Sequence, residues 1–413
     1  MTDRKRNIAH KIETLLGHFP VVVILGARQT GKTTLAKELM PAWKYIDLEN
    51  IDDFSLLSRD PLFYFSQHPR HVIIDEAQIY PELFNTLRGV IDEQRHGKGR
   101  FLLTGSSSPE LLAHVSETLA GRAAIVELGT LKANEFYQLP LSPFYELFSH
   151  KLNKKNLENF VSKQAPMDTE KIQKIWLRGG YPEPILNRDQ SFYLLWMQQY
   201  RNSYVNRDIG KLFPRLNKFA YQRFLMILGK LSGTIINRSD VARTLEINEK
   251  SVREYLTIAE GTFLWRQLPS YERNIVKSIV KMPKGYIRDS GLLHNFLRIQ
   301  TLEELHEHPV IGHSFESFVI EEIIKGLEST TLANWDAHYY RTRKGAEIDL
   351  ILEGNFGILP IEIKYGSRVD PKQLSALSDF IEEHQLPFGL IINQSKTTEW
   401  LTSKIIQIPA GWV

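Results

Sequence analysis

Residues 26–34 read Gly-Ala-Arg-Gln-Thr-Gly-Lys-Thr-Thr, which is the phosphate-cradling pattern G-x-x-x-x-G-K-[ST]. Just before it stand Val22, Val23, Ile24 and Leu25, apolar and mostly β-branched, the texture of a strand buried on both faces. Just after it, Leu35, Ala36, Lys37, Glu38 and Leu39 favour a helix. In that setting the backbone N–H groups of Gly26, Ala27, Arg28, Gln29, Thr30 and Gly31 can turn towards a phosphate, with the positive end of the helix behind them. Lys32 is placed to reach the β- and γ-phosphates. The Thr33 hydroxyl is placed to ligate Mg²⁺, and Thr34 closes the loop. The stretch therefore predicts ATP and Mg²⁺ as ligands.

The chain outward from the loop fits that reading. Trp43–Leu48 has the pattern of a second strand. Val72-Ile73-Ile74-Asp75-Glu76-Ala77-Gln78 is an apolar strand ending in two acids. Asp75 is expected to hold Mg²⁺, directly or through water, and Glu76 to polarise the water that attacks the γ-phosphate. Phe101-Leu102-Leu103-Thr104-Gly105-Ser106-Ser107-Ser108 is a further strand ending in hydroxyls. Thr104 or Ser106 can sense the γ-phosphate from there, while Ser107 or Ser108 before Pro109-Glu110 also suits a helix start.

At 413 residues the chain is long enough for two or three domains. It contains no cysteine, which excludes disulfides, thiolate zinc sites and cysteine nucleophiles. No apolar run is long enough for a membrane span, and the N-terminal residues lack a secretory h-region, so a cytoplasmic protein without a membrane partner is expected. The net charge of +3 conceals an asymmetry. Residues 206–300 hold 17 lysines and arginines against 8 acids, and the remainder holds 34 against 40. A basic middle between acidic flanks is the footprint of a nucleic-acid surface, or of an ordinary solvated face.

Together the phrases GARQTGKTT, VIIDEAQ, FLLTGSSS and LAGRAAIVELGTL (119–131) resemble the AAA-type ATPase module of a large prokaryotic family with a C-terminal region called DUF4143. Trp176–Glu183 (WLRGGYPE), Arg207-Asp208-Ile209 and Arg288–Leu292 (RDSGL) resemble that family too. The resemblance implies an α/β P-loop ATPase core over 1–140, a helical lid or insertion over 141–215, a winged helix over 216–300 and a restriction-endonuclease-like α/β domain over 301–413. It also implies a homo-oligomer, ring or helical, in which a neighbour's arginine completes the ATP site. Arg122 in the Gly-Arg pair is the first candidate for that finger and Arg178 the second.

In the middle, Phe219–Leu231 reads as an amphipathic helix. Asn237–Leu245, with Ser239 as N-cap, and Glu249–Ala259 read as a helix-turn-helix. Phe263–Trp265 and Tyr286-Ile287 are the expected wing strands. Arg238, Arg243, Lys250 and Arg253 on the helices, with Lys277, Lys281 and Lys284 on the wing, suit contacts to DNA phosphates without sequence choice. The same fold also serves as an ATPase lid or a protein-docking module. Trp196, Tyr200 and Tyr204 are expected to pack a lid core rather than stack on bases.

Near the C-terminus a helix from about His313 carries Glu316, Glu321 and Glu322. Strands follow over Ala337–Thr342, Gly345–Leu352 and Gly357–Lys364, then a final helix Asp370–His384 and a final strand Phe388–Ile392. Asp349 followed by Glu362-x-Lys364 resembles the D…(D/E)-x-K signature of restriction-endonuclease-like nucleases, with Glu316 like the extra acid of resolvase-type members. Asp349 and Glu362, with the Ile363 carbonyl, would ligate Mg²⁺, and Lys364 would orient or deprotonate a water. Two destinations remain open: a DNA-remodelling ATPase whose terminal domain binds or cleaves DNA, or a nucleotide-operated protein-docking switch with an inactive terminal domain.

Overall fold

The computed structural model describes residues 4–413 apart from 107–114, 162, 188, 273–281, 343–344 and 371–373. The helix start expected at Ser107 or Ser108, and the wing lysines Lys277 and Lys281, lie outside the described residues.

A helix, α1 (Ala9–Leu16), leads into a five-stranded parallel sheet: β1 (Val21–Gly26), β2 (Lys44–Asp47), β3 (Val72–Asp75), β4 (Phe101–Ser106) and β5 (Ala123–Glu127), in the spatial order β2-β3-β4-β1-β5. Every residue of β1 is buried because the strand is central and covered on both faces. Val21, Val23 and Leu25 join one core cluster, Val22 and Ile24 the other. The covering helices include α2 (Lys32–Leu39), α3 (Ile51–Arg59), α4 (Pro61–Gln67) and α5 (Leu83–Glu93). Asn50 caps α3 and Asp60 caps α4, with Pro61 in its first turn.

The next unit contains α6 (Thr169–Arg178), α7 (Pro182–Leu186) and α8 (Gln190–Ser203), then α9 (Lys218–Leu231), α10 (Arg238–Leu245) and α11 (Glu249–Gly261). A short strand β6 (Thr234–Ile235) pairs with β8 (Lys284–Ile287), which also pairs with β7 (Trp265–Leu268). The caps differ from expectation. Asn237 caps α10 by accepting from Ser239 and Asp240 N–H, so Ser239 lies inside the helix and its hydroxyl turns to Glu249. The first wing strand also starts two residues later than expected, at Trp265.

The segment 141–215, expected as one insertion, divides between two cores. Phe144, Tyr145, Phe148, Ile175 and Trp176 pack with the C-terminal sheet. Tyr200 and Tyr204, with Tyr193, are buried against α9–α11 and Trp196 packs partly buried on the same cluster, so the three aromatics expected to pack a core do so.

After α12 (Ser290–Leu297) comes α13 (Ile311–Glu328), almost wholly buried. It packs on a six-stranded sheet of β9 (Trp335–Arg341), β10 (Glu347–Gly354), β11 (Gly357–Ile363), β12 (Gly389–Asn393), β13 (Glu399–Trp400) and β14 (Ile405–Pro409). The final helix, α14 (Ser375–Glu383), begins later than Asp370, and β13 and β14 extend the sheet beyond the strand expected to be last. β9, β10 and β11 are antiparallel, and β11, β12 and β14 are parallel. The three-stranded and six-stranded sheets are stitched together: Tyr271 N–H donates to the Tyr339 carbonyl at 2.6 Å, and Tyr339 N–H to the Pro269 carbonyl at 3.0 Å. Among the described residues no helix is long and apolar enough to cross a membrane.

Candidate functional site

The loop between β1 and α2 takes the shape its sequence requires. Gly31, just before α2, has φ +93°, a left-handed conformation that side chains rarely adopt. At Gly26 a Cβ would lie 2.2 Å from the Leu128 carbonyl oxygen, so only glycine lets β5's extension approach the loop. Around the loop opens a cavity of about 580 Å³ lined by Arg28 to Leu35, Glu38 and Glu76. Its far wall was not anticipated. Arg4 and Arg6 come from the N-terminal segment, Leu131 from beyond β5, and Pro182, Glu183 and Leu186 from α7. Arg6 is a brace: it donates to the Thr30 carbonyl at 2.9 Å and the Gly129 carbonyl at 2.7 Å, and pairs with Glu135 at 3.0 Å.

Parallel pairing brings the other expected residues to the same end of the sheet. Thr33 Oγ1 donates to Asp75 Oδ2 at 2.8 Å, so hydroxyl and carboxylate converge at the cavity's edge. That donor set of hard oxygens suits Mg²⁺. Lys32 Nζ is folded back onto the carbonyls of Gly26 at 3.1 Å and Ala27 at 2.9 Å. Glu76 occupies left-handed backbone at φ 54°. Its Oε2 accepts from Ser106 Oγ at 3.1 Å and from the Gln78 amide, which itself donates to Ser106 at 2.9 Å. Thr104 does not reach the cavity: it is fully buried and its hydroxyl bonds to Asp75, so it positions that carboxylate. Tyr45, unnoticed in the sequence, also donates to Asp75 at 2.7 Å; burial first, then Asp75, holds its hydroxyl well above the usual tyrosine range.

Arg122 lies elsewhere. Ala123 pairs with Val21, the first residue of β1, whereas the cradle follows its last, Gly26. At about 3.3 Å per residue, that places Arg122 roughly 16 Å from the loop, at the other end of the sheet. It is too far from the loop of the same chain to act there, and it grips Asp92 with two N–H donors at 2.8 Å each. Arg178 contacts Gln190 and lies over the Tyr193 ring, outside the cavity wall.

On the helix pair, Arg243, Lys250 and Arg253 are exposed and Arg238 is half-buried. Arg243 pairs with Asp240 at 3.3 Å. Lys284 contradicts its expected place on a phosphate-facing wing. It is 3% exposed and points inward, into the acids of the C-terminal domain.

Those acids do come together. β10 carries a bulge between Ile348 and Ile351, and Asp349 sits in it. Asp349 Oδ2 accepts from the Ile363 N–H on β11 at 2.8 Å. Glu362 Oε1 pairs with Lys364 at 2.5 Å, while Glu362 Oε2 is buried with no hydrogen-bond partner among the described residues. Glu316 accepts from Tyr286 at 2.7 Å, and Lys284 Nζ lies 2.6 Å from Glu316, 2.6 Å from Glu347 and 3.6 Å from Asp349. Burial, then repulsion from Glu316 and Glu362, raises the Asp349 carboxyl well above its usual range. Burial likewise raises Glu362, against the pull of Lys364. Burial opposes charge on Glu316 as well, but Lys284, His313 and Tyr286 hold it below the carboxylate range. An ammonium therefore sits among Glu316, Glu347 and Asp349, beside the Asp349–Glu362 pair that the sequence led us to expect on Mg²⁺. With Lys284 in place the cluster does not fit a divalent ion, and no group of three or more potential ligands is arranged for a metal among the described residues.

α13 links all these parts through three buried glutamates. Glu316 meets β8. Glu321 pairs with Arg266 and Arg288, which also share Glu127 at the end of β5. Glu322 pairs with Lys132 at 3.2 Å and accepts from the Ala133 N–H at 2.9 Å.

Comparison with known proteins gives three successive family matches: an AAA domain over residues 18–137, a domain of unknown function (DUF8612) over 169–303 and a domain of unknown function (DUF4143) over 311–412. Uncharacterised proteins of Mycobacterium tuberculosis (Rv2008c) and Mycobacterium bovis (Mb2031c) are each 30% identical over 418 aligned positions, covering 100% of this chain and 85% of theirs. Among solved structures, the Walker-type ATPase PABY2304 of Pyrococcus abyssi matches with TM-score 0.43 and 15% identity over 72% of this chain and 96% of its own. The Thermotoga maritima RuvB Holliday junction branch migration motor matches with TM-score 0.28 and 15% identity over 64% and 89%. With its sequence relatives and its loop, strand and helix in register, the chain belongs to the family of P-loop AAA-type ATPases that carry a C-terminal DUF4143 domain.

Proposed function

We propose that the protein is a cytoplasmic, homo-oligomeric ATPase that hydrolyses ATP with Mg²⁺ at the β1–α2 cradle and uses the cycle to engage or remodel DNA, branched DNA included. The observation that carries the hydrolytic reading is the convergence of Thr33 and Asp75 at 2.8 Å beside Lys32, with Glu76 aimed by Ser106 and Gln78. A bound Mg²⁺ would be held by Thr33 and Asp75 and would offset phosphate charge. Lys32 would leave the Gly26 and Ala27 carbonyls for the phosphates. Glu76 would orient the attacking water, and Leu131, Pro182 and Leu186 offer an apolar wall to the base. Arg122, at the far end of the sheet, suits a neighbour's site rather than its own. The exposed Arg243, Lys250 and Arg253 and the half-buried Arg238 support phosphate contact by a winged helix.

A second reading, a nucleotide-operated protein-docking switch with an inactive terminal domain, is favoured by a specific finding. Three cations of the basic middle, Arg266, Lys284 and Arg288, are spent on internal ion pairs.

The test is steady-state ATP hydrolysis by the full chain with and without duplex, forked and junction DNA. Lys32→Ala is expected to abolish turnover with the fold intact. Glu76→Gln should still bind ATP but hydrolyse it about 10²–10⁴-fold more slowly. Unchanged turnover in Lys32→Ala would remove the cradle from the mechanism. Absence of salt-sensitive DNA retention and of stimulation would leave the docking switch.

A further inference from the structure

The acids at the bulge of β10 are met by a cation from another part of the chain. Lys284 opens β8, the central strand of the three-stranded sheet, and the two-residue period of a strand puts Lys284 and Tyr286 on the same face. Both side chains end on Glu316. The Lys284 ammonium is nearly sealed from solvent, and it touches Glu347 and Asp349 as well, from the neighbouring sheet. It thus donates to Glu316 and Glu347 and lies at ion-pair range, 3.6 Å, from Asp349.

A lysine that merely holds two sheets together needs a single partner. Here, among the described residues, four carboxylates, Glu316, Glu347, Asp349 and Glu362, share two ammonium groups, Lys284 and Lys364; the exposed Arg341 reaches Glu347 alone of the four, at 3.8 Å, and His313 lies 3.4 Å from Glu316. One oxygen, Glu362 Oε2, is left buried without a donor among the described residues, and Glu362 is only 7% exposed. The cluster is short of positive charge even with Lys284 present. Without it, Lys364 would be the one described lysine or arginine paired with the Glu316, Asp349 and Glu362 carboxylates, a balance that a divalent cation with oxygen ligands redresses.

We propose that Lys284 is a tethered cation that keeps the Glu316–Asp349–Glu362 cluster closed to divalent metal, and that withdrawing it converts the same carboxylates into a divalent-cation site. The terminal domain is then metal-free while β8 lies against it and becomes metal-binding when β8 moves away. The inference rests on the acid cluster and is independent of ATP hydrolysis.

The experiment measures Mn²⁺ binding to the nucleotide-free full chain from the loss of the free-ion electron paramagnetic resonance signal. Wild type, Asp349→Asn, Lys284→Met and the double variant are compared. Wild type should show no Asp349-dependent Mn²⁺ site. Lys284→Met should gain one, tighter than any such binding in wild type by about tenfold or more, and Asp349→Asn should remove it again. A Lys284→Met chain that folds only when Mn²⁺ is supplied supports the proposal equally. An Asp349-dependent site in wild type as tight as in Lys284→Met overturns it, as does a folded Lys284→Met chain that gains none. Should Lys284→Met not fold under either condition, any Asp349-dependent Mn²⁺ site in the wild type, read against Asp349→Asn, overturns the proposal, and its absence supports the closed state. Because nucleotide is absent throughout, a negative result here leaves the ATPase reading untouched.

Discussion

The nucleotide cradle was readable residue by residue because its members are contiguous or follow a strand end. Its supports were not. Arg6, Tyr45 and Gln78 act through partners far along the chain or around a turn, and nothing in their own neighbourhood marks them. His294 is another such residue. It is buried, with Nδ1 at 2.8 Å from the Leu177 carbonyl and Nε2 at 2.7 Å from Ser314 Oγ, in contact with the Trp176 ring. Burial chiefly pushes its pKa down to about 4. A depressed folded-state value means that the neutral ring contributes stability above the ordinary value near 6.5, and that this contribution is lost as pH falls towards 4. The expected loss is roughly 3 kcal/mol across that window. Denaturant unfolding at pH 7 and pH 4.5 should show a smaller drop for His294→Gln than for wild type. Equal drops would mean that other groups carry the acid sensitivity.

At the level of elements, the repeated apolar runs gave the core strands and the helix pair, while the junctions had to be seen. Lys277, Lys281 and Lys284 read alike in one short basic stretch, yet Lys284 is turned inward by the register of β8, a tertiary fact that local charge does not encode. Likewise β13 and β14 follow polar residues that read as the end of the sheet. The packing of α12 on α6 offers a test of how tight one junction is. A Cβ on Gly291 would lie 2.1 Å from the Arg178 carbonyl oxygen. Alanine is the better helix former by about 1 kcal/mol, but backbone cannot yield cheaply, and Gly291→Ala should destabilise by about 1–3 kcal/mol or more. Gly312, in the first turn of α13, has open space where a Cβ would go, so Gly312→Ala should be neutral or stabilising by up to about 1 kcal/mol. Thermal unfolding of the two variants checks the contrast, and similar melting temperatures would discount the close approach.

Across the whole molecule, Glu321 and Glu127 meet through Arg266 and Arg288, connecting the edge of the ATPase sheet to the helix beneath the C-terminal sheet. Burial opposes charge on Arg288, but the two glutamates hold it firmly protonated, and it in turn helps keep both below the usual carboxylate range despite their burial. Removing one member strands the others. Arg288→Ala should cost about 3–5 kcal/mol, and adding Glu127→Gln should recover part of that loss in denaturant unfolding. Strict additivity of the two changes would show that they do not interact.

The three glutamates of α13 also decide how the polypeptide can be handled. Cleavage between Gln300 and Ile311 would put Lys132, Arg266, Lys284 and Arg288 on a different piece from Glu316, Glu321 and Glu322, leaving Glu127 alone to Arg266 and Arg288, and parting the pieces would expose the apolar surface around them. Neither piece would carry a finished exterior. Proteolysis at that point is expected to give aggregates rather than working halves, and biochemical studies of either end are best made on the intact polypeptide.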